Sequence, residues 1–215
     1  MINSQNPDLV LWYPEAPVSG STIYDYSGNG YNSTISGATL IKIPFNGKRA
    51  LDFDGNDYTA VTTTRSINTA TGITFFCGWV KFDVITRGAT FEIRGGSTTT
   101  HFGYWDGSGG LRFYGGSTTA AANFGGLTTG VWYHFACWNT TSKGLKMVLN
   151  GDWANMVVGS FGTDVSASNV VLKLGNYVNN RYLNGQMSDF MMFDMGTTEP
   201  TEAFIKEIYN KTYRA

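Results

Sequence analysis

Ten residues, Ile73-Thr74-Phe75-Phe76-Cys77-Gly78-Trp79-Val80-Lys81-Phe82, limit the possible folds more than any other stretch. Read as a strand, they place Ile73, Phe75, Cys77 and Trp79 on one face and Phe76, Val80 and Phe82 on the other. Both faces are apolar. A strand with one wet face alternates apolar with polar residues, so this one needs cover on each side. The surrounding sequence supplies layers of the same kind. With 27 Gly, 15% aromatic and only 14% charged residues, it reads as short strands joined by tight turns.

The strands fall in order along the chain. Leu9–Trp12 comes first, and Pro14, Pro17 and Gly20 mark the loop after it. Asp25-Tyr26-Ser27-Gly28-Asn29-Gly30 is a built turn: its glycines and asparagine allow positive φ, and Asp25 and Ser27 offer oxygens to nearby N–H groups. From these residues alone it is a corner of the chain or a seat for a hard cation. Residues 32–35 and 38–43 are β-prone, and Ala50–Phe53 and Tyr58–Val61 flank the turn Asp54-Gly55-Asn56-Asp57 as a hairpin. Further strands are expected over 89–94, 102–105, 110–114, 132–138, 145–149, 153–158, 170–174 and 182–193. Asn150-Gly151 is a two-residue hairpin signal before the 153–158 run. Gly95-Gly96-Ser97-Thr98-Thr99 recurs as Gly115-Gly116-Ser117-Thr118-Thr119, a hairpin echo too short for a solenoid. Glu199-Pro200 opens a short helix whose Phe204, Ile205, Ile208 and Tyr209 share one face and should dock on the sandwich. The expected architecture is all-β: a two-sheet antiparallel sandwich with a short C-terminal helix, forming one domain over 1–215.

In this order the segments resemble a laminin-G-like jelly roll of the concanavalin A-like lectin/glucanase superfamily. The resemblance runs from Leu9 to Tyr209. It rests on Leu9–Trp12, Asp25–Gly30, Leu51–Tyr58, Ile73-Thr74 with Trp79–Lys81, Gly130–His134, Val148–Gly151, Leu183–Asp189 and Glu207–Tyr209. The chain departs from the pattern at Ser33, where a further glycine is usual, and in the last long strand, which carries Met191 and Phe193 beside Asp189 where charged residues are usual.

The glucanases of this superfamily work with two Glu close together on one strand, the pair that glycoside hydrolysis needs. The five Glu here, Glu15, Glu92, Glu199, Glu202 and Glu207, form no such pair. Asp189 and Asp194 are five apart, which alternation places on opposite faces. His101 and His134 lack a nucleophile in a recognisable elbow. The resemblance therefore implies a non-catalytic member.

Two binding roles are implied as well. Relatives often bind one Ca²⁺, which takes six to eight oxygen ligands; the donors here would be Asp25, Asn29, Asp54, Asn56 and Asp57, if their two turns converge. Glycan binding is common in the family, and Tyr104, Trp105, Asp106, Tyr114, Trp153, Tyr177, Asn179 and Arg181 are the loop or strand-end candidates. A third role is structural. If the face of Phe76, Val80 and Phe82 and the face of Met191 and Phe193 belong to one sheet, they would expose a broad apolar patch that suits an interface with other subunits unless the terminal helix or loops cover it.

Net charge is −1, which gives no pull towards nucleic acid. No apolar run reaches membrane-spanning length and no secretory signal opens the chain. Cys77 and Cys137 either pair or stand as reduced core thiols, and the lack of a signal favours thiols. The leading expectation is a surface subunit of a virion or similar particle, released by lysis or another non-classical route, with a glycan-recognition role. A soluble or cell-surface lectin domain is the alternative.

Overall fold

The computed structural model describes residues 9–14, 18–43, 47–84, 87–95, 98–105, 109–116, 121–177 and 181–213. Their principal strands are β1 (Leu9–Tyr13), β2 (Ser33–Ser36), β3 (Thr39–Lys42), β4 (Arg49–Asp54), β5 (Tyr58–Thr62), β6 (Thr74–Phe82), β7 (Gly88–Gly95) and β8 (Thr98–Trp105). They continue as β9 (Leu111–Gly115), β10 (Ala121–Phe124), β11 (Trp132–Asn139), β12 (Gly144–Leu149), β13 (Val157–Ser160), β14 (Val171–Leu174) and β15 (Asn184–Asp194). An eight-stranded sheet runs β13-β12-β11-β6-β15-β4-β3, with β1 also paired to β15. A nine-stranded sheet runs β10-β9-β8-β7-β14-β5-β2 and ends in the short strands Thr22–Ile23 and Val18–Ser19. Pairing is antiparallel throughout, as expected of a jelly-roll sandwich. Among the described residues, no helix is long and apolar enough to cross a membrane.

β6 sits between β11 and β15 in the middle of the first sheet. Its Phe76, Val80 and Phe82 point into the space between the sheets, where Phe91, Ile93, Phe113, Phe135, Leu172 and Leu174 meet them. Its Phe75 and Cys77 point the other way and join Met191, Phe193, Ala136 and Trp138. The register explains this division, because Met191 lies opposite Cys77 and Phe193 opposite Phe75, and cross-strand partners share a face. The interface expected from Phe76, Val80, Phe82, Met191 and Phe193 is thus corrected. The five occupy opposite faces of one sheet, and all are buried.

The outer face is covered by α1 (Glu202–Thr212). The helix starts two residues later than Pro200 suggests, because Thr201 is its N-cap, accepting a hydrogen bond from the Phe204 N–H. Ile205 and Ile208 enter the outer cluster, and the Phe204 ring meets Phe75 and Phe193 at centroid distances of 5.8 and 5.4 Å. Polar bonds pin both ends. Before the helix, Glu199 accepts from Trp138 Nε1 at 3.0 Å and from Lys146 Nζ at 2.7 Å. At its last turn, Trp79 Nε1 donates to Thr212 Oγ1 at 2.9 Å.

Several local features differ from or refine the sequence reading. The turn Asp54–Asp57 does not close a hairpin: it carries the chain from β4 in the first sheet to β5 in the second. Trp153 begins a 3-10 turn, Trp153–Asn155, rather than a strand, and the return strand starts at Val157. Asn150 and Gly151 do adopt positive φ, 51° and 68°, but Asn150 is diverted: its Oδ1 accepts from the His134 N–H and its own N–H donates to the His134 carbonyl. Cys77 and Cys137 are free thiols in the outer and inner clusters respectively. Opposite faces of one sheet are no geometry for a disulfide. In β15, two residues at Asp189–Phe190 oppose the single Gly78, a bulge with Asp189 at φ 51°. The bulge aims the buried Asp189 carboxylate at the buried Lys48, 3.1 Å away.

Two expected outcomes follow from the packing. Ile205→Ala or Ile208→Ala should each lower stability by about 3 kcal/mol in urea unfolding, whereas an exposed helix would lose far less. His101 and His134 are buried, and burial pushes each imidazole down to about 3. Below pH ~6.5 the unfolded chain takes up two protons that the folded chain refuses, so stability falls as pH drops from about 6.5 towards 3. Replacing His134 with Phe should reduce the slope of stability against pH by about one proton between pH 6 and 4.5; an unchanged slope would mean that His134 titrates normally in the fold.

Candidate functional site

The two turns proposed to share a cation are described in full, and they do not meet. Asp25 Oδ1 accepts from the N–H groups of Trp12 (3.0 Å) and Ser27 (2.9 Å). Its Oδ2 accepts from Ser27 Oγ (2.7 Å) and the Tyr31 N–H (3.0 Å). Those four bonds match the acceptor capacity of a carboxylate. Asn29 Nδ2 donates to the Val10 and Leu9 carbonyls at 2.8 and 3.1 Å, fastening the turn to β1. In the second turn, Asp57 Oδ2 accepts from the Asp54 N–H and Asp54 Oδ1 from the Asn56 N–H. Burial and the neighbouring Asp54 carboxylate push the Asp57 carboxyl up. β2 holds the turns apart. Asn32, bonded to the Asp25 N–H, precedes the strand, and Gly37, in contact with Asp57, follows it. At ~3.3 Å per residue that separation is roughly 16 Å. The shared site expected of Asp25, Asn29, Asp54, Asn56 and Asp57 is therefore not formed. Among the described residues, no group of three or more His, Cys, Asp or Glu stands close enough to hold a metal ion.

The glycan candidates divide. Tyr114 and Tyr177 both come to the face of the second sheet turned away from the core, where each stacks on Phe102 at centroid distances of 4.5 and 4.3 Å. Arg181 pairs with Tyr177 in a two-residue ladder beside them. Registers across β14, β7, β8, β9 and β10 set Lys173, Glu92, Phe102, Tyr114 and Ala121 in one row. Glu92 is fully buried there, its Oε1 accepting from Thr99 Oγ1 at 2.9 Å, and burial pushes its carboxyl up. Tyr114 and Tyr177 are each 7% exposed, so these rings are packed against one another rather than open to a ligand. Trp153 lies on the far side of the molecule, stacked on Trp138 at 6.0 Å beside the outer cluster. The backbones of Tyr104 and Trp105 lie opposite Arg112 and Leu111. Asp106 and Asn179 lie outside the described residues.

An open concavity forms elsewhere, at the seam where the two sheets meet. A groove of about 480 Å³ lies between the end of β10, the start of β13 and the turn after β12. That volume is within the range typical of small-ligand sites. Phe124, Leu127, Tyr133 and Val157 form its half-buried apolar wall, and Asn150, Asp152 and Asn155 its exposed polar rim. The Tyr133 hydroxyl is engaged by the Thr128 N–H at 3.1 Å, which fixes the ring. Asn155 Nδ2 donates to Asp152 Oδ2 at 2.7 Å, orienting the carboxylate. The Asn150–His134 backbone pairing holds the third rim residue. The sequence reading treats Asn150-Gly151 as a turn and 153–158 as a strand, and so overlooks this rim. Its signal is the polar run Asn150, Asp152 and Asn155 directly after a strongly apolar strand.

Residues 53–201 match the laminin-G-like family model described as Concanavalin A-like lectin/glucanases superfamily. No curated protein matches the chain. Among solved structures, domain 4 of an extracellular arabinanase from Geobacillus stearothermophilus, in complex with arabinotriose, is similar with a TM-score of 0.69 and 18% identity, over 94% of this chain and 98% of that one. The botulinum neurotoxin serotype D binding domain gives 0.70 and 14% over 97% of this chain. The binding domain of Paraclostridial Mosquitocidal Protein 1 gives 0.69 and 13% over 95%. The chain spans about half of the two toxin domains, 53% and 52%. At these identities the likeness is one of fold.

Because the Asp25 carboxylate is saturated and the second turn stands apart from it, melting curves in excess calcium and in chelator should coincide. A rise of several degrees in calcium would require an ion site.

Proposed function

The chain belongs to the Concanavalin A-like lectin/glucanases superfamily, and we propose that it is a non-catalytic carbohydrate-binding module whose ligand lies in the seam groove. The groove itself carries this reading: an aromatic and aliphatic wall faces a rim of two amides and one carboxylate. A sugar ring presents C–H groups on its faces and hydroxyls around its edge. The first pack against Tyr133 and Phe124, and the second exchange hydrogen bonds with Asn150, Asp152 and Asn155. Support comes also from the arabinanase domain solved with arabinotriose and from the toxin domains described as binding domains.

The disposition of carboxylates supports the non-catalytic part. Hydrolysis of a glycoside uses two carboxyl groups flanking the bond, roughly 5–9.5 Å apart. Among the described residues, the groove is lined by one, Asp152. Asp189, Asp194 and Glu199 are paired with Lys48, Arg65 and Lys146, and Glu92 is sealed in the other sheet.

One of the grounds for a virion or particle subunit is an uncovered apolar sheet face, the others being low charge and the lack of a signal segment. With α1 on that face, glycan recognition by a lectin-like domain becomes the leading reading. The exposed large apolar residues, such as Tyr24, Leu40, Val131 and Val158, are spread over separate segments. The test is a glycan array with the full chain, alongside Tyr133→Ala and Tyr177→Ala variants and light scattering. Binding should fall at least about tenfold in the Tyr133 variant and persist in the Tyr177 variant, with a monomeric mass. Loss in the Tyr177 variant alone would move the site to the second sheet's outer face. A stable oligomer without glycan binding would favour assembly.

A further inference from the structure

The charge of the seam groove narrows the class of sugar it takes. Among the described residues, Asp152 is the one acidic side chain in its lining, and the lining includes no Lys, Arg or His. The remaining polar groups are the Asn150 and Asn155 amides. Resting on the carbohydrate-binding reading above, we infer that the groove selects neutral oligosaccharides with adjacent free hydroxyls and rejects sialylated and sulfated ones.

The chemistry is that of an acceptor held in place. Asn155 Nδ2 occupies Asp152 Oδ2 at 2.7 Å. Asp152 has no side-chain capping bond to the 3-10 turn that follows, so Oδ1 is available as an acceptor. A carboxylate accepts from hydroxyl donors in short, charge-assisted bonds. A sugar bearing its own carboxylate or sulfate brings an acceptor to a place that needs a donor, and a like charge to a wall without a counter-ion. Its anion would meet the Asp152 carboxylate with no cation in the lining to offset the repulsion, which discriminates against it. Asn150 is held through its backbone and side chain to His134, and the Tyr133 ring is fixed through its hydroxyl. The acceptor and the stacking surface are thus both set before a ligand arrives.

The experiment measures the affinity of the full chain for arabinotriose, xylotriose and maltotriose, and for sialyllactose and a sulfated trisaccharide, with Asp152→Asn and Asp152→Lys variants and Tyr133→Ala as the groove control. At least one neutral trisaccharide should bind with no measurable binding of the anionic pair. Asp152→Asn should weaken neutral binding about tenfold, the scale of one charge-assisted hydrogen bond. Asp152→Lys should abolish it and admit an anionic sugar. Asp152 is exposed and outside the core, so both variants should melt with the parent protein. Anionic sugars that bind as well as neutral ones, and lose binding in Tyr133→Ala, would overturn the charge selection while leaving glycan recognition intact. Unchanged neutral affinity in Asp152→Asn would overturn it too. Failure of all five sugars to bind would overturn the carbohydrate reading, and this inference with it.

Discussion

The pairing of β6 with β15 is the constraint on which the rest of the molecule depends. Both strands are buried on both faces: Phe75, Cys77, Met191 and Phe193 on one side, and Phe76, Val80, Met187 and Met192 on the other. Neither layer of cover is dispensable, since an exposed apolar side chain of this size forfeits roughly 1.5–3 kcal/mol of burial. The second sheet serves the inner face and α1 the outer. The same demand accounts for the details at the helix ends. Glu199 with Trp138 and Lys146, and Thr212 with Trp79, hold a helix of eleven residues in register over the aromatic cluster.

The bulge opposite Gly78 belongs to this arrangement. It inserts an extra residue into β15 and lets the strand partner β4 with its first half and β1 with its second. Asp189, at positive φ, turns its carboxylate to Lys48 rather than to solvent. A buried ion pair is weak grounds for stability, but removing one partner leaves an unpaired buried charge. The departure noted in the sequence, Met191 and Phe193 near Asp189, is therefore the imprint of a helix-covered face beside a buried ion pair.

The sequence made the layers legible because a layer is written in local periodicity. The double-faced run at 73–82 demanded cover, and the stripe Phe204, Ile205 and Ile208 supplied it. What local pattern cannot show is which distant segments converge. Asp25 and Asp57 share a family motif order, yet the four residues of β2 lie between them. That Met191 and Phe193 share a face with Cys77 and Phe75, not with Phe76, is set by the register of two strands more than a hundred residues apart in the chain. The groove draws on residues from Phe124 to Val157 in four segments, and one of them reads as a strand from Trp153 where the chain forms the 3-10 turn Trp153–Asn155. The aromatic residues most conspicuous in the sequence, Tyr114, Tyr177 and Trp153, proved to be packing partners of Phe102 and Trp138.

The seam on which the groove lies also bears on solubility. A Cβ on Gly159 would sit 2.1 Å from the Ala121 carbonyl, so the outermost strands of the two sheets, β13 and β10, abut there. Just beyond, the N–H groups of Gly162 and Thr163 donate to the Gly115 and Gly116 carbonyls and stitch one sheet to the other. Sheet margins normally invite further strands from other chains, and many proteins repel them with lysines and other charges. With charged residues at 14% of the chain, this molecule has few such guards to deploy. Joining one margin of each sheet to the other takes those margins out of reach of other chains without adding a charge.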